Sequence, residues 1–168
     1  MLLSRGFQSA VIVLLGFSLS LMSGCGFRLQ GTNAYPEGMA NTYIDASDRY
    51  TPFYRDLKIA LEQGGINVTS SPVDADSIIR IQLDETGQRV LTVTGRNVPE
   101  EYEVYYRITY SVFMGGERMI ENRSIQREQD YTFDATTKLG KDREAEGFRA
   151  AISKDLVRQV TYEIAQLK

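Results

Sequence analysis

The chain reads as an α+β protein, a two-layer sandwich in which two helices pack on a roughly four-stranded mixed β-sheet. Three patterns predict this. A compact strand–helix–strand unit lies between Asn41 and Thr69. Apolar and polar residues then alternate from Ser77 to Asp130, the period of strands with one buried face. A single long amphipathic segment follows, with apolar residues every three or four positions.

Asn41-Thr-Tyr-Ile-Asp45 is the first strand. Thr51-Pro52 supplies an N-cap and a proline at the first helical position, and Phe53, Leu57, Ala60 and Leu61 share one face of the helix it starts. Gly64-Gly65 ends that helix, and Ile66-Asn-Val-Thr69 resumes as a short strand. A crossover this compact places the two strands parallel. Ile79, Ile81 and Leu83 alternate with Arg80, Gln82 and Asp84, so the first three are expected on the core side. Arg89–Thr94 continues this strand past a bulge expected at Gly87. Gly95–Pro99 is a loop with Arg96 near its tip.

The strongest alternation sets Tyr102, Val104, Tyr106, Ile108, Tyr110 and Val112 against Glu101, Glu103, Tyr105, Arg107, Thr109 and Ser111. It assigns Tyr102, Tyr106 and Tyr110 to the core or its edge. Tyr105 falls on the other face, where tyrosine suits contact with a partner. Met114-Gly-Gly-Glu117 is a hairpin turn, and Arg118–Asp130 returns antiparallel. From about Asp142 to Leu167, the residues Phe148, Ile152, Leu156, Val160, Ile164 and Leu167 define the core stripe of the last helix.

The N-terminus has a different composition. Arg5 precedes an apolar run from Ala10 to Met22, and small residues lead to Cys25, the only cysteine in 168 residues. This is the layout of a secretory signal, with residues 1–24 removed. The alternatives are a membrane anchor, for which the run is short and diluted by Gly16, Ser18 and Ser20, or an ordinary signal with an incidental cysteine. Leu21-Met-Ser-Gly-Cys25 resembles a bacterial lipoprotein lipobox, with Met22 where Leu is preferred. That resemblance implies lipid attachment at Cys25. Gly26, where an Asp would signal inner-membrane retention, implies an anchor on the periplasmic side of the outer membrane. Residues 25–39 then read as a lipidated tether, and 40–168 as a single α+β domain.

Removing 24 residues from 168 leaves 144, enough for a core without disulfides. Losing Arg5 takes the net charge from −3 to −4, so no basic field favours nucleic acid. The chain has no histidine, which excludes Ser-His-Asp and Cys-His catalysis and the usual zinc ligand sets. Neither Gly64-Gly65 nor Gly115-Gly116 has the spacing of a phosphate-binding loop. We therefore expect no cofactor, no metal and no enzymatic activity. A hydrolase would have to use carboxylates alone, and the pairs at hand, Asp84/Glu85 and Glu100/Glu101, are adjacent residues that point to opposite strand faces.

Cys25-Gly-Phe-Arg-Leu29, the strand–helix–strand unit, the Arg96 loop leading into Glu101-Tyr-Glu-Val-Tyr-Tyr-Arg107, and the last helix opened by Leu139-Gly-Lys-Asp-Arg-Glu144 together resemble the LPS-assembly lipoprotein family LptE. The order and spacing of the motifs carry the likeness; one departure is the lack of the polar tail some members have. The resemblance implies a non-enzymatic plug that sits 1:1 inside the β-barrel LptD and helps to insert lipopolysaccharide into the outer leaflet. It also implies lipopolysaccharide binding through Arg96 and Lys141. Lipid A phosphates suit guanidinium and ammonium groups, and Lys138, Lys141 and Arg143 stand at a helix N-terminus. The other reading of these cations is surface pairing with Glu100, Glu101, Asp142 or Glu144. A lipoprotein scaffold of another envelope complex is the alternative function.

Overall fold

The structure, a computed structural model, describes residues 35–132 and 138–167; in the last helix, side chains are described from Arg143 onward. The leader, Cys25 and most of the tether lie outside the described residues. The elements are β1 (Asn41–Ala46), α1 (Pro52–Gln63), β2 (Asn67–Thr69), β3 (Ser77–Val93), β4 (Pro99–Met114), β5 (Glu117–Thr132) and α2 (Lys138–Ala165). The sheet order is β2-β1-β3-β4-β5, with β1 parallel to both neighbours and β3, β4 and β5 successively antiparallel. The α+β class holds. The sheet has five strands rather than four, because the crossover through α1 brings the three residues of β2 back beside β1.

Helix α1 starts and stops for local reasons. The Thr51 hydroxyl accepts from the Tyr54 N–H at 3.1 Å, and Pro52 has no N–H to satisfy. At the other end, Gly65 takes φ 88°, its N–H reaches the Glu62 carbonyl, and the Ile66 N–H reaches the Leu61 carbonyl. These two bonds make a Schellman closure, which needs the left-handed residue that glycine supplies. Leu61 and Ile66 then both enter the core.

Phe53, Leu57 and Leu61 of α1 and Ile152, Leu156, Val160 and Ile164 of α2 pack on Ile44, Ile79, Val104, Tyr106, Ile108, Tyr110 and Val112 of the sheet. Burying each such side chain contributes about 1.5–3 kcal/mol, more than helix propensity supplies per residue, so the α2 stripe sets how the helix docks. The helix opens at Lys138, four residues before the predicted start. Gly115 and Gly116 take φ 58° and 84°, as a two-residue hairpin turn requires.

Two features of β3 depart from simple alternation. The register slips between Ile81 and Leu83, so Ile81 faces Tyr110 but Leu83 faces Thr109. The extra residue, Gln82, turns Leu83 to the outer face and brings Asp84 to the inner one. Gly87, by contrast, is in register opposite Tyr105 and is not bulged. It is glycine because the Tyr105 ring lies over it: a Cβ there would sit 2.5 Å from the Tyr105 Oη. The far end of β3 has two further slips, between Val90 and Thr92 and between Thr92 and Val93.

Candidate functional site

At the far end of the sheet the last described pair between β4 and β5 sets Thr132 opposite Glu101, while β3 and β4 pair on as far as Val93 and Pro99. Residues beyond Thr92 and before Glu101 therefore form a two-stranded tip. Thr94 holds it closed. Its N–H donates to the Val98 carbonyl at 2.8 Å, its carbonyl accepts from the Asn97 N–H, and its hydroxyl accepts from the Arg96 and Val98 N–H groups. Asn97 takes φ 61°, a left-handed position that asparagine tolerates.

Arg96 stands exposed at this tip. Among the described residues its guanidinium has no hydrogen-bond or ion-pair partner. The two nearby acids do not reach it: Glu101 instead accepts from the Thr92 hydroxyl at 3.1 Å, and Glu100 is exposed. Most arginines of the sheet differ in this respect. Arg80 pairs with Asp45, Arg89 with Glu103, Arg107 with Glu85 and Arg123 with Glu163.

Lys141 lies in the first turn of α2; its side chain, like that of Lys138, falls outside the description. The helix's placement is nonetheless tied down. Phe148 packs on Tyr131, Gln159 meets Arg127, and Glu163 meets Arg123, so α2 runs back along β5 with its N-terminus toward the hairpin end. Seven residues separate Lys141 from Phe148, about 10 Å of helix. Arg96 and Lys141 thus belong to the same end of the domain. Arg143, in the next turn, is exposed.

The carboxylate pairs do not converge. Asp84 on the inner face accepts from the Tyr106 hydroxyl at 2.7 Å and the Thr51 hydroxyl at 2.6 Å. Glu85 on the outer face accepts from Arg107 at 2.8 Å, and that bond holds its carboxyl below the usual range. A glycosidase acid needs the opposite shift. Among the described residues no cluster of acids, cysteine or histidine is arranged to hold a metal ion, and no helix is long and apolar enough to cross a membrane.

The predicted tyrosine roles separate. Tyr106 and Tyr110 are fully buried, and burial, then a hydrogen bond to Asp84 or Glu163 respectively, pushes both phenols far up, so each remains a neutral donor. Tyr102 is half-buried and stacks on Tyr131, with ring centres 5.9 Å apart. Tyr105 does face outward. Its ring is taken up within the sheet, covering Gly87 beneath Arg89 and donating to Glu85.

Sequence reasoning did not single out the apolar side chains around Arg96. Val90, Leu91, Val93 and Val98 are all exposed. The signal was present in the run Val90-Leu91-Thr92-Val93, which does not alternate cleanly and so promises apolar groups on both faces of a strand.

The LptE lipopolysaccharide-assembly family model matches residues 39–165, from the buried Met39 to the end of α2. The chain belongs to this family. It is 23% identical over 155 residues to the LPS-assembly lipoprotein LptE of Yersinia enterocolitica, spanning 92% of this chain and 74% of that protein. With LptE of Yersinia pestis it shares 25% identity over 162 residues, 93% and 78% of the two chains. Among solved structures the fold is similar to rare lipoprotein B from Shewanella oneidensis (TM-score 0.65, 21% identity, 74% of this chain and 93% of that one). It is also similar to lipoprotein B from Nitrosomonas europaea (TM-score 0.69, 21% identity, 83% and 90%). The α+β sandwich is thus an arrangement that lipoproteins of this kind share.

Proposed function

We propose that this protein is a lipid-anchored assembly factor of the outer membrane, which binds lipopolysaccharide and plugs the barrel LptD as one half of a 1:1 complex. Signal cleavage before Cys25 and acylation of its thiol deliver the domain to the periplasmic side of that membrane. More than one acyl chain is needed for stable anchoring, and lipoprotein acylation supplies several. Arg96 and Lys141 contact lipid A phosphates.

The observation that carries the ligand part is the guanidinium of Arg96, without a partner among the described residues, on an exposed hairpin closed by hydrogen bonds in a chain of this family. A guanidinium kept free of intramolecular carboxylates offers its full fork to a phosphate. The free N–H groups opening α2 add anion affinity at the same end of the domain. Family membership supports the barrel partner, and the diverging carboxylates argue against hydrolysis.

The test has two arms. Arg96→Glu together with Lys141→Glu should weaken lipopolysaccharide capture by the purified protein while leaving its melting curve in place; unchanged capture rejects these residues. Affinity purification of the lipidated chain from solubilised outer membranes should recover the barrel in equal amount. Recovery of a different envelope complex would establish the scaffold reading instead.

A further inference from the structure

Among the described residues, Val90, Leu91, Val93 and Val98 are 45, 41, 50 and 45% exposed, and they make up half of the large apolar side chains left open. They lie within nine residues, and Arg96 lies among them. Exposed single hydrophobes are ordinary; a cluster on one small element is not. Here the cause is visible in the backbone. The run Val90-Leu91-Thr92-Val93 puts apolar side chains on both faces of β3, with two register slips beside Thr92. Among the described residues β5 pairs with β4 only as far as Thr132, opposite Glu101, which leaves these side chains exposed.

The cluster is also continuous with a floor. Val90 pairs with Tyr102, Tyr102 pairs with Tyr131, and Tyr131 packs on Phe148, with ring centres 5.6 Å apart. An apolar path therefore runs from the tip onto the aromatic end of the core.

We propose that the tip is a two-part site for a single anionic amphiphile: Arg96 takes a phosphate, and Val90, Leu91, Val93 and Val98 take the acyl chains of the same molecule. This rests on Arg96 being a lipopolysaccharide contact and adds where the hydrocarbon goes. The charge pattern selects the occupant. One cation set in an apolar collar complements a molecule that carries an anion next to hydrocarbon. Docking on an anionic bilayer relies on clustered lysines and arginines, whereas residues 90–101 carry one cation, Arg96, together with the exposed acids Glu100 and Glu101.

The chain contains no tryptophan, so Val93→Trp or Leu91→Trp provides a lone fluorescent reporter at the tip. On adding lipopolysaccharide to the full lipid-free mature chain, emission should shift to the blue. Fully deacylated lipopolysaccharide and phosphatidylglycerol vesicles should leave it in place. The triple variant Val90→Thr/Val93→Thr/Val98→Thr keeps side-chain shape and strand preference but loses methyl contacts, and should bind lipopolysaccharide about tenfold more weakly.

An unshifted emission from both reporters, with lipopolysaccharide captured normally, overturns the acyl subsite and leaves the Arg96 reading standing. An equal shift with deacylated ligand or with vesicles overturns it too, in the second case in favour of membrane insertion. A wild-type chain that captures no lipopolysaccharide removes the underlying reading, and the subsite with it.

Discussion

Asp84 offers the sharpest test of how this domain is built. The slip at Gln82 carries its carboxylate to the inner face, where it accepts from Tyr106 on β4 and Thr51 at the start of α1. The Tyr106 hydroxyl in turn accepts from the Phe53 N–H at 3.3 Å. One carboxylate therefore joins β3, β4 and the first turn of α1. Asp84→Ala removes both bonds and leaves a fully buried phenol without its acceptor. A hydrogen bond to a charged group contributes about 1.5–3 kcal/mol, and stranding a buried hydroxyl costs about 1–3 kcal/mol. Thr51 is only half-buried and keeps water as a substitute, so most of the loss falls on Tyr106. The expected destabilisation is about 3 kcal/mol, or about 12 °C in Tm for a domain of this size. Urea unfolding followed by circular dichroism reads it, with Tyr106→Phe and the double variant completing a cycle whose coupling should exceed about 1 kcal/mol. A cost below about 0.5 kcal/mol with additive single variants would mean that Asp84 sits on the solvent face, as uninterrupted alternation implied.

Glu163 should govern part of the acid limb. Burial raises its carboxyl, but hydrogen bonds from Arg123, Gln159 and Tyr110 together outweigh that and hold it below its ordinary 4.5. Its contribution is then complete above about 4.5 and fades as pH falls through the lower folded value. Glu163→Gln should cost about 1 kcal/mol at neutral pH after solvent screening and flatten the stability profile below 4.5; a parallel profile contradicts this. Gly87→Ala should cost about 1 kcal/mol by displacing the Tyr105 ring, and Tyr105→Ser in the same chain should recover most of it in thermal melts. Cys25→Ala should abolish incorporation of labelled palmitate and move the chain from the membrane pellet to the soluble fraction; retention in the pellet would show that a protein partner holds it there.

Much of the architecture was readable because it rests on local rules. The Thr51-Pro52 cap, the Gly64-Gly65 stop, the Gly115-Gly116 turn and the α2 stripe each depend on neighbours in sequence, and each stands where it was expected. The slip at Gln82 was not readable. Ile79, Ile81 and Leu83 alternate without a flaw, and only pairing with β4 reveals that the third faces outward. Gly87 resembled a bulge for a related reason: the Tyr105 ring that makes glycine necessary lies eighteen residues away.

The site divides in the same way. Arg96 was visible as a cation in a loop. That it would pair with no carboxylate among the described residues depended in part on Glu101 turning to Thr92, a consequence of strand geometry. The exposed cluster of Val90, Leu91, Val93 and Val98 depended on the register slips beside Thr92 and on which residues β4 pairs with beyond Glu101.

Residue order alone determined the class of the domain, its caps and turns, and the absence of histidine chemistry, since these follow from covalent identity and contacts a few residues long. Tertiary structure decided which face each β3 residue occupies, which arginines are paired, and which apolar groups stay uncovered. Those outcomes turn on register between strands and on the reach of α2, where one inserted residue reverses every side chain after it.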